Sequence, residues 1–150
     1  MQVGDRAPSF KLPDHRGEVF ASEEVAADRL LVYWYPKADT PGCAAQAQGL
    51  RDQMDAFEAA GCAVVGASFD PVEDLAAFHD KFDLNFPLLS DVDRRVGASF
   101  GVAGDDGTAA YAQRVGFLIG ADGAVEVRYD VDDPEFFADS VLNDLEEREG

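Results

Sequence analysis

The hydrophobic pattern of this 150-residue chain is dominated by two continuous apolar runs. The first, LLVYWY, occupies residues 30–35, and the second, CAVVGAS, occupies residues 62–68. A strand with one solvated face alternates apolar and polar positions, whereas a strand buried on both faces does not. We therefore predict two central strands of a sheet at these positions, and a shorter third strand at residues 86–90.

Helical patterns follow each of these predicted strands. Residues 43–60 are rich in Ala, Gln, Leu and Met, and Gly61 ends the pattern. Asp70 and Pro71 suit the start of a second helix, because Asp is a good cap and Pro is tolerated in the first turn. Two further predicted helices, residues 91–100 and 134–147, each carry apolar residues on one face: Val92, Val96 and Phe100 in the former, and Phe137, Val141, Leu142 and Leu145 in the latter.

The remaining segments predict strands that pair through tight turns. Residues 111–119 and 125–129 flank Asp122-Gly123, which favours a hairpin turn. Residues 1–17 predict an extended segment that turns back as a second hairpin. The order of elements, βαβαβα followed by a hairpin and a helix, predicts one α/β domain over residues 1–150, with a mixed central sheet flanked by helices.

The chain is strongly acidic, with 30 Asp and Glu residues, 12 Lys and Arg residues and a net charge of −18. That charge repels polyanions, so we expect neither nucleic acid nor a membrane surface as a partner. It also motivates the hypothesis of a halophilic host, because salt screens like charges; an ordinary acidic bacterial protein is the alternative. No apolar run approaches the ~20 residues that span a bilayer, and the N-terminus lacks a secretory signal pattern, so we expect a cytoplasmic protein.

Cys43 is the main candidate for chemistry in this sequence. It lies where a predicted strand gives way to a loop with Pro36 and Pro41, and then to a predicted helix. The first-turn N–H groups lack intrahelical partners and the helix dipole favours negative charge there, so the position stabilises a thiolate. The thiolate is the nucleophilic form of cysteine, although a lone cysteine at a helix start is more often structural. Two cysteines are too few for a disulfide framework.

Four segments carry a resemblance to a known family. Residues 35–43 have the sequence YPKADTPGC, which contains Pro-x-x-x-Thr-x-x-Cys at the strand-to-helix junction. Residues 3–14 (VGDRAPSFKLPD), 85–91 (NFPLLSD) and 114–119 (RVGFLI) flank it in order. With these segments the chain resembles the peroxiredoxins, and specifically the bacterioferritin comigratory protein or PrxQ group. The resemblance implies a thioredoxin-like fold with an N-terminal extension, and thiol peroxidase activity toward hydrogen peroxide and organic hydroperoxides.

The resemblance also implies a role for each motif residue. Cys43 is implied to be the peroxidatic cysteine, which becomes a sulfenic acid. Thr40 would offer its hydroxyl to the thiolate and the peroxide, and Pro36 would shield the sulfur from water. Arg114 would place its guanidinium beside the sulfur, and the backbone N–H groups of Gly42 and Cys43 would stabilise charge on the leaving oxygen. Two plainer interpretations stay open, in which Thr40 only caps the helix and Arg114 is a surface charge.

The chain departs from the PrxQ pattern at position 48. Many members of that group have a resolving cysteine five residues after the peroxidatic one, where this chain has Gln48. Cys62 is predicted beyond the far end of the same helix, roughly 25 Å from Cys43 at ~1.5 Å per residue, whereas a disulfide needs Cα atoms within ~7 Å. We therefore interpret Cys62 as a small buried hydrophobe, with an intermolecular or regulatory role as the alternative.

A one-cysteine mechanism follows, in which a small thiol or a thioredoxin-type protein reduces the sulfenic acid. Two other functions stay open: a peroxide sensor that passes oxidation to a partner protein, and a non-enzymatic thioredoxin-like interaction module. We expect no cofactor and no metal, because His15 and His79 are predicted to face solvent and no ligand cluster is evident. We expect a monomer.

Overall fold

The computed structural model describes residues 1–149. Its strands are β1 (Lys11–Pro13), β2 (Val19–Ala21), β3 (Arg29–Trp34), β4 (Cys62–Ser68), β5 (Leu88–Ser90), β6 (Val115–Gly120) and β7 (Val125–Asp130). Its α-helices are α1 (Pro41–Asp52), α2 (Met54–Ala59), α3 (Val72–Lys81), α4 (Arg95–Phe100) and α5 (Phe137–Glu149). Short 3₁₀ turns, Ser22–Glu24 and Pro134–Phe136, follow β2 and precede α5. None of the described helices is both long and apolar enough to cross a membrane.

The central sheet has five strands in the order β5-β4-β3-β6-β7. Strands β3, β4 and β5 are parallel, whereas β6 runs antiparallel to β3, and β7 runs antiparallel to β6. Strands β1 and β2 form the separate N-terminal hairpin. The predicted mixed sheet and both predicted hairpins are therefore confirmed.

Strand β3 lies at the centre of the sheet and is buried on both faces, as its unbroken apolar run predicts. Tyr33 and Leu31 point into a core formed with side chains of α1, α2, α3 and α5. Trp34 and Val32 point to the opposite face, where β1, α4 and the segment after α4 cover the sheet. Cys43 belongs to the first of these two cores.

The helix predicted over residues 43–60 is wrong in one respect, because it is two helices. At Gln53 the backbone leaves the helical region, with φ −112° and ψ 15°, and α2 begins at the next residue. Met54 and Phe57 of α2 both lie in the core. No Gly or Pro marks the position, so the pattern of side chains could not predict it. The first helix also begins earlier than predicted, at Pro41.

Two other predicted elements, one helix and one strand, begin later in the structure than the sequence predicts. The helix predicted from residue 91 begins at Arg95, because the buried Asp91 carboxylate accepts the N–H groups of Val96 and Gly97 and so precedes the helix. Val92, predicted to face the core, is 54% exposed. The strand predicted from residue 111 begins at Val115, so β6 is shorter than its apolar pattern predicts.

Candidate functional site

Cys43 lies in the first turn of α1, directly after the loop that leaves the C-terminal end of β3. Thr40 is the N-cap residue, and Pro41 occupies the first turn, where its missing N–H costs no helical hydrogen bond. The first helical bond runs from the Ala44 N–H to the Thr40 carbonyl, at 2.8 Å. The N–H groups of Gly42 and Cys43 precede this bond and lie at the positive end of the helix. The Cys43 side chain is buried, at 1% exposure.

Arg114 reaches this turn from the residue that precedes β6. Trp34 of β3 pairs with Val115 of β6, so Arg114 lies just before β6, at the edge of the sheet from which the loop to Cys43 departs. Its Nη2 atom lies 2.9 Å from the position that a Cβ on Gly42 would occupy. A side chain at position 42 would therefore collide with the guanidinium, and glycine allows the close approach. The structure thus brings Arg114 to the turn that carries Gly42 and Cys43, although it lies far from both in the sequence.

Gln46 holds the guanidinium in place, and sequence reasoning missed it. Its side chain is fully buried, and its Oε1 atom accepts a 2.9 Å hydrogen bond from Nη1 of Arg114. Within the described chain, Nε2 of the same amide is buried without a hydrogen-bond partner. Its spacing could have identified it as a site residue, because a residue three positions after Cys43 lies on the same face of the helix.

Thr40 and Pro36 both lie in the loop between β3 and α1, and both residues are partly buried. The Thr40 hydroxyl donates to the Lys37 carbonyl at 2.8 Å, and it makes no side-chain capping bond. The hydroxyl is therefore directed at its own loop in this structure rather than at a backbone N–H of α1.

Two tyrosines line the protein side of the site. Tyr33 and Tyr35 lie on the same face of the sheet as Cys43 and are completely buried. Burial raises the pKa of both phenols above the ordinary value, and negative charge at Cys43 raises each further, while Arg114 lowers that of Tyr33. Both phenols are therefore neutral at physiological pH and add no negative charge beside Cys43.

The second cysteine lies at the other end of the sheet. Cys62 pairs with Arg29 at the start of β3, whereas Cys43 follows the end of that strand. The five residue steps from Arg29 to Trp34, at about 3.3 Å each, separate the two ends of β3 by roughly 16 Å. No disulfide spans that distance. Burial also raises the pKa of the Cys62 thiol to about 12, so it stays protonated. At position 48, where many PrxQ proteins have their resolving cysteine, the Gln48 amide donates a hydrogen bond to the Ala44 carbonyl.

The two histidines differ from their prediction. His15 and His79 are partly buried and stack on each other, with ring centroids 3.7 Å apart and planes 9° from parallel. His15 follows β1 and His79 lies on α3, so the stacked rings join these two parts of the fold. In the part of the chain that the structure describes, no three His, Cys, Asp or Glu residues are grouped as metal ligands.

Comparisons with known proteins agree on one family. The sequence pattern of the AhpC/TSA family matches residues 3–128. Peroxiredoxin Bcp of Escherichia coli (strain K12) is 46% identical over 151 residues, which cover 98% of this chain and 97% of that protein. The crystal structure of peroxidoxin BcpB from Mycobacterium tuberculosis superposes with a TM-score of 0.92 at 33% identity, covering 98% and 97% of the two chains.

A third relative carries information about a substrate. A structure of the bacterioferritin comigratory protein from Xanthomonas campestris, solved to study its alkyl peroxide reduction activity, superposes with a TM-score of 0.85 at 27% identity. It covers 94% of this chain and 92% of its own. These superpositions extend over nearly the whole chain, so the predicted thioredoxin-like peroxiredoxin fold is confirmed.

Proposed function

This chain belongs to the AhpC/TSA family, as a peroxiredoxin of its Bcp/PrxQ group, and from that premise we propose that Cys43 carries its thiol peroxidase activity. The observation that supports this assignment best is the position of Arg114. The guanidinium of Arg114, which lies just before β6, approaches Gly42 at the start of α1 and is held there by the buried Gln46. A cation at this position can stabilise negative charge that develops at the start of α1 during the reaction.

The first step oxidises Cys43. The thiolate attacks one oxygen of the peroxide, so that an S–O bond forms as the O–O bond breaks, and the sulfur becomes a sulfenic acid. The other oxygen leaves with the electron pair of the broken bond and takes up a proton, giving water or an alcohol. Arg114 and the N–H groups of Gly42 and Cys43 stabilise the negative charge that develops on that oxygen.

Two loop residues complete the proposed site. The Thr40 hydroxyl turns from the Lys37 carbonyl toward the peroxide and donates a hydrogen bond to it. Pro36 covers the sulfur with apolar atoms and limits the access of water. Both hydrogen peroxide and organic hydroperoxides are proposed substrates, the latter because the relative from X. campestris reduces alkyl peroxides.

The second step needs a thiol from outside this chain. Gln48 supplies no thiol, and Cys62 lies at the other end of β3 as a protonated, buried side chain. An external thiol attacks the sulfenic sulfur, water leaves, and a mixed disulfide forms. A second external thiol then releases Cys43 in its reduced form. We assign these thiols to a thioredoxin-type protein or a small molecule, with the enzyme acting as a monomer in the cytoplasm.

Loss of the internal resolving cysteine also supports a second candidate, a relay that passes oxidation to a partner protein. A relay and a peroxidase both oxidise Cys43, but only the peroxidase turns over with a general reductant. Family membership speaks against the third alternative, a non-enzymatic interaction module.

The test is the rate of peroxide consumption with wild type and Cys43→Ser, using either thioredoxin with its reductase or dithiothreitol as reductant. Wild type is expected to turn over with at least one of them, and Cys43→Ser is expected to lose activity by at least about a thousandfold, because no other thiolate is available. Rapid oxidation of wild type without turnover would favour the relay. Retention of activity by Cys43→Ser would contradict the assignment of the nucleophile.

A further inference from the structure

Asp70, which follows β4, binds the backbone of the loop that contains Thr40 and leads into α1. The Ala38 N–H donates to Oδ2 of Asp70 at 2.8 Å, and the Ser68 hydroxyl donates to the same oxygen at 2.7 Å. Ser68 is the last residue of β4 and is completely buried. The contact therefore ties the loop to the C-terminal edge of the rigid central sheet.

This arrangement corrects the predicted role of Asp70. The sequence predicts Asp70 as the cap of α3, but the N-cap is Pro71, and the structure shows no side-chain capping bond at that helix. The carboxylate instead accepts hydrogen bonds from Ser68 of β4 and from Ala38 of the loop. A carboxylate that accepts a backbone N–H forms a charge-assisted bond, which is stronger than a bond between neutral groups.

The loop needs such support because its backbone is not relaxed. Asp39 has φ +63°, in the left-handed region that residues other than glycine adopt at a cost. Its own carboxylate pairs with Lys81 at 2.9 Å, but both side chains are about half exposed, so water and salt weaken that contact. Of the two contacts, the bond from Ala38 to Asp70 is the one that solvent weakens less.

We propose that Asp70 is a positioning residue for the peroxidase reaction, which fixes Ala38 and thereby the direction in which the loop presents Thr40 and Cys43. Asp70 does not touch the reacting atoms, and it acts through the loop backbone. The inference rests on the proposed role of Cys43. Displacement of reacting groups by about 1 Å can lower a rate by about a hundredfold, so a loop contact of this kind can control the rate.

The experiment compares Asp70→Ala, Asp70→Asn and the control Asp74→Ala, which removes an exposed carboxylate from the start of α3. Two rates of Cys43 are measured in each variant: reaction with hydrogen peroxide by stopped flow, and alkylation by iodoacetamide. The peroxide reaction depends on the geometry of the loop, whereas alkylation depends on the thiolate and its exposure. Asp70→Ala is expected to react with peroxide about 10 to 100 times more slowly, with alkylation unchanged or faster.

The variant Asp70→Asn tests whether an uncharged acceptor restores the peroxide reaction. Its side-chain oxygen can still accept the Ala38 N–H, so Asp70→Asn is expected to react with peroxide within about threefold of wild type. Wild-type peroxide reactivity in Asp70→Ala, equal impairment of both Asp70 variants, or an equal fall of peroxide and alkylation rates would each overturn the proposal.

A second variant covers the case in which Asp70→Ala does not fold. Ser68→Ala removes one donor to the same carboxylate and is expected to slow the peroxide reaction severalfold, and an unchanged rate would overturn the proposal. Failure of the proposed function is distinguishable, because Cys43→Ser would then retain activity.

Discussion

Among single residues, the contact between Gln46 and Arg114 separates this site from an ordinary helix start. The amide oxygen orients the guanidinium, and burial keeps water from replacing it. We expect Gln46→Leu to slow the reaction of Cys43 with hydrogen peroxide by about tenfold or more, because Arg114 loses its fixed position at the developing charge. Stopped-flow kinetics measures this rate. Gln48→Leu, two residues further on the same helix, is the matched control.

A wild-type rate for Gln46→Leu would show that Arg114 needs no support from α1. A similar fall for Gln48→Leu would show that the effect comes from the helix as a whole rather than from this contact.

The sequence predicted the candidate residues Pro36, Thr40, Cys43 and Arg114 through the motif and its flanking segments. It could not predict Gln46, because that role depends on which face of α1 meets Arg114 in the fold. Nor could it predict that the Thr40 hydroxyl donates to the Lys37 carbonyl, since the direction of a hydroxyl is decided by the local path of the loop.

At the scale of elements, the strands were predicted better than the helices. Continuous apolar runs mark β3 and β4 because both faces of these strands are covered. The break between α1 and α2 has no comparable signal, since no Gly or Pro lies next to Gln53. The start of α4 is likewise set by a tertiary feature, the buried carboxylate of Asp91.

The stacked histidines join the turn after β1 to α3, and they make that junction sensitive to pH. Burial lowers the pKa of both imidazoles below 6.5; His15 is lowered further by His79 and by Arg16, and His79 by Arg16. Other neighbours raise these pKa values: Asp14 raises that of His15, and a hydrogen bond with the Phe86 backbone, followed by Asp80 and Asp83, raises that of His79. The net direction for both histidines is downward.

Because both pKa values are lower in the folded state, the unfolded chain takes up protons first as the pH falls. The stabilisation of the folded state by the two neutral histidines is complete above their ordinary pKa of 6.5. It is lost as the pH falls through their pKa values in the folded state. The melting temperature of wild type is therefore expected to fall between about pH 7 and pH 5. In His15→Asn, whose side-chain oxygen can still accept the Leu88 N–H, the fall is expected to be smaller. Equal falls in both proteins would contradict a role for the pair.

For the whole molecule, the dominant property is a net charge of −18 on 150 residues. Mutual repulsion among the carboxylates opposes the compact state, and salt shortens its range from about 10 Å at 0.1 M to about 3 Å at 1 M. We expect the melting temperature to rise between these two salt concentrations, as measured by circular dichroism. An unchanged melting temperature, or the same rise in an uncharged osmolyte, would contradict the hypothesis of a protein adapted to high salt.

The central claim at this scale is that the chain oxidises one cysteine and contains no thiol that can resolve it. The most direct measurement is peptide mass spectrometry after one equivalent of hydrogen peroxide without reductant, with dimedone present to trap a sulfenic acid. We predict a dimedone adduct on Cys43 in wild type and, to the same extent, in Cys62→Ser, with Cys62 unmodified. A disulfide between Cys43 and Cys62 in wild type, or the absence of any modification at Cys43, would contradict the account.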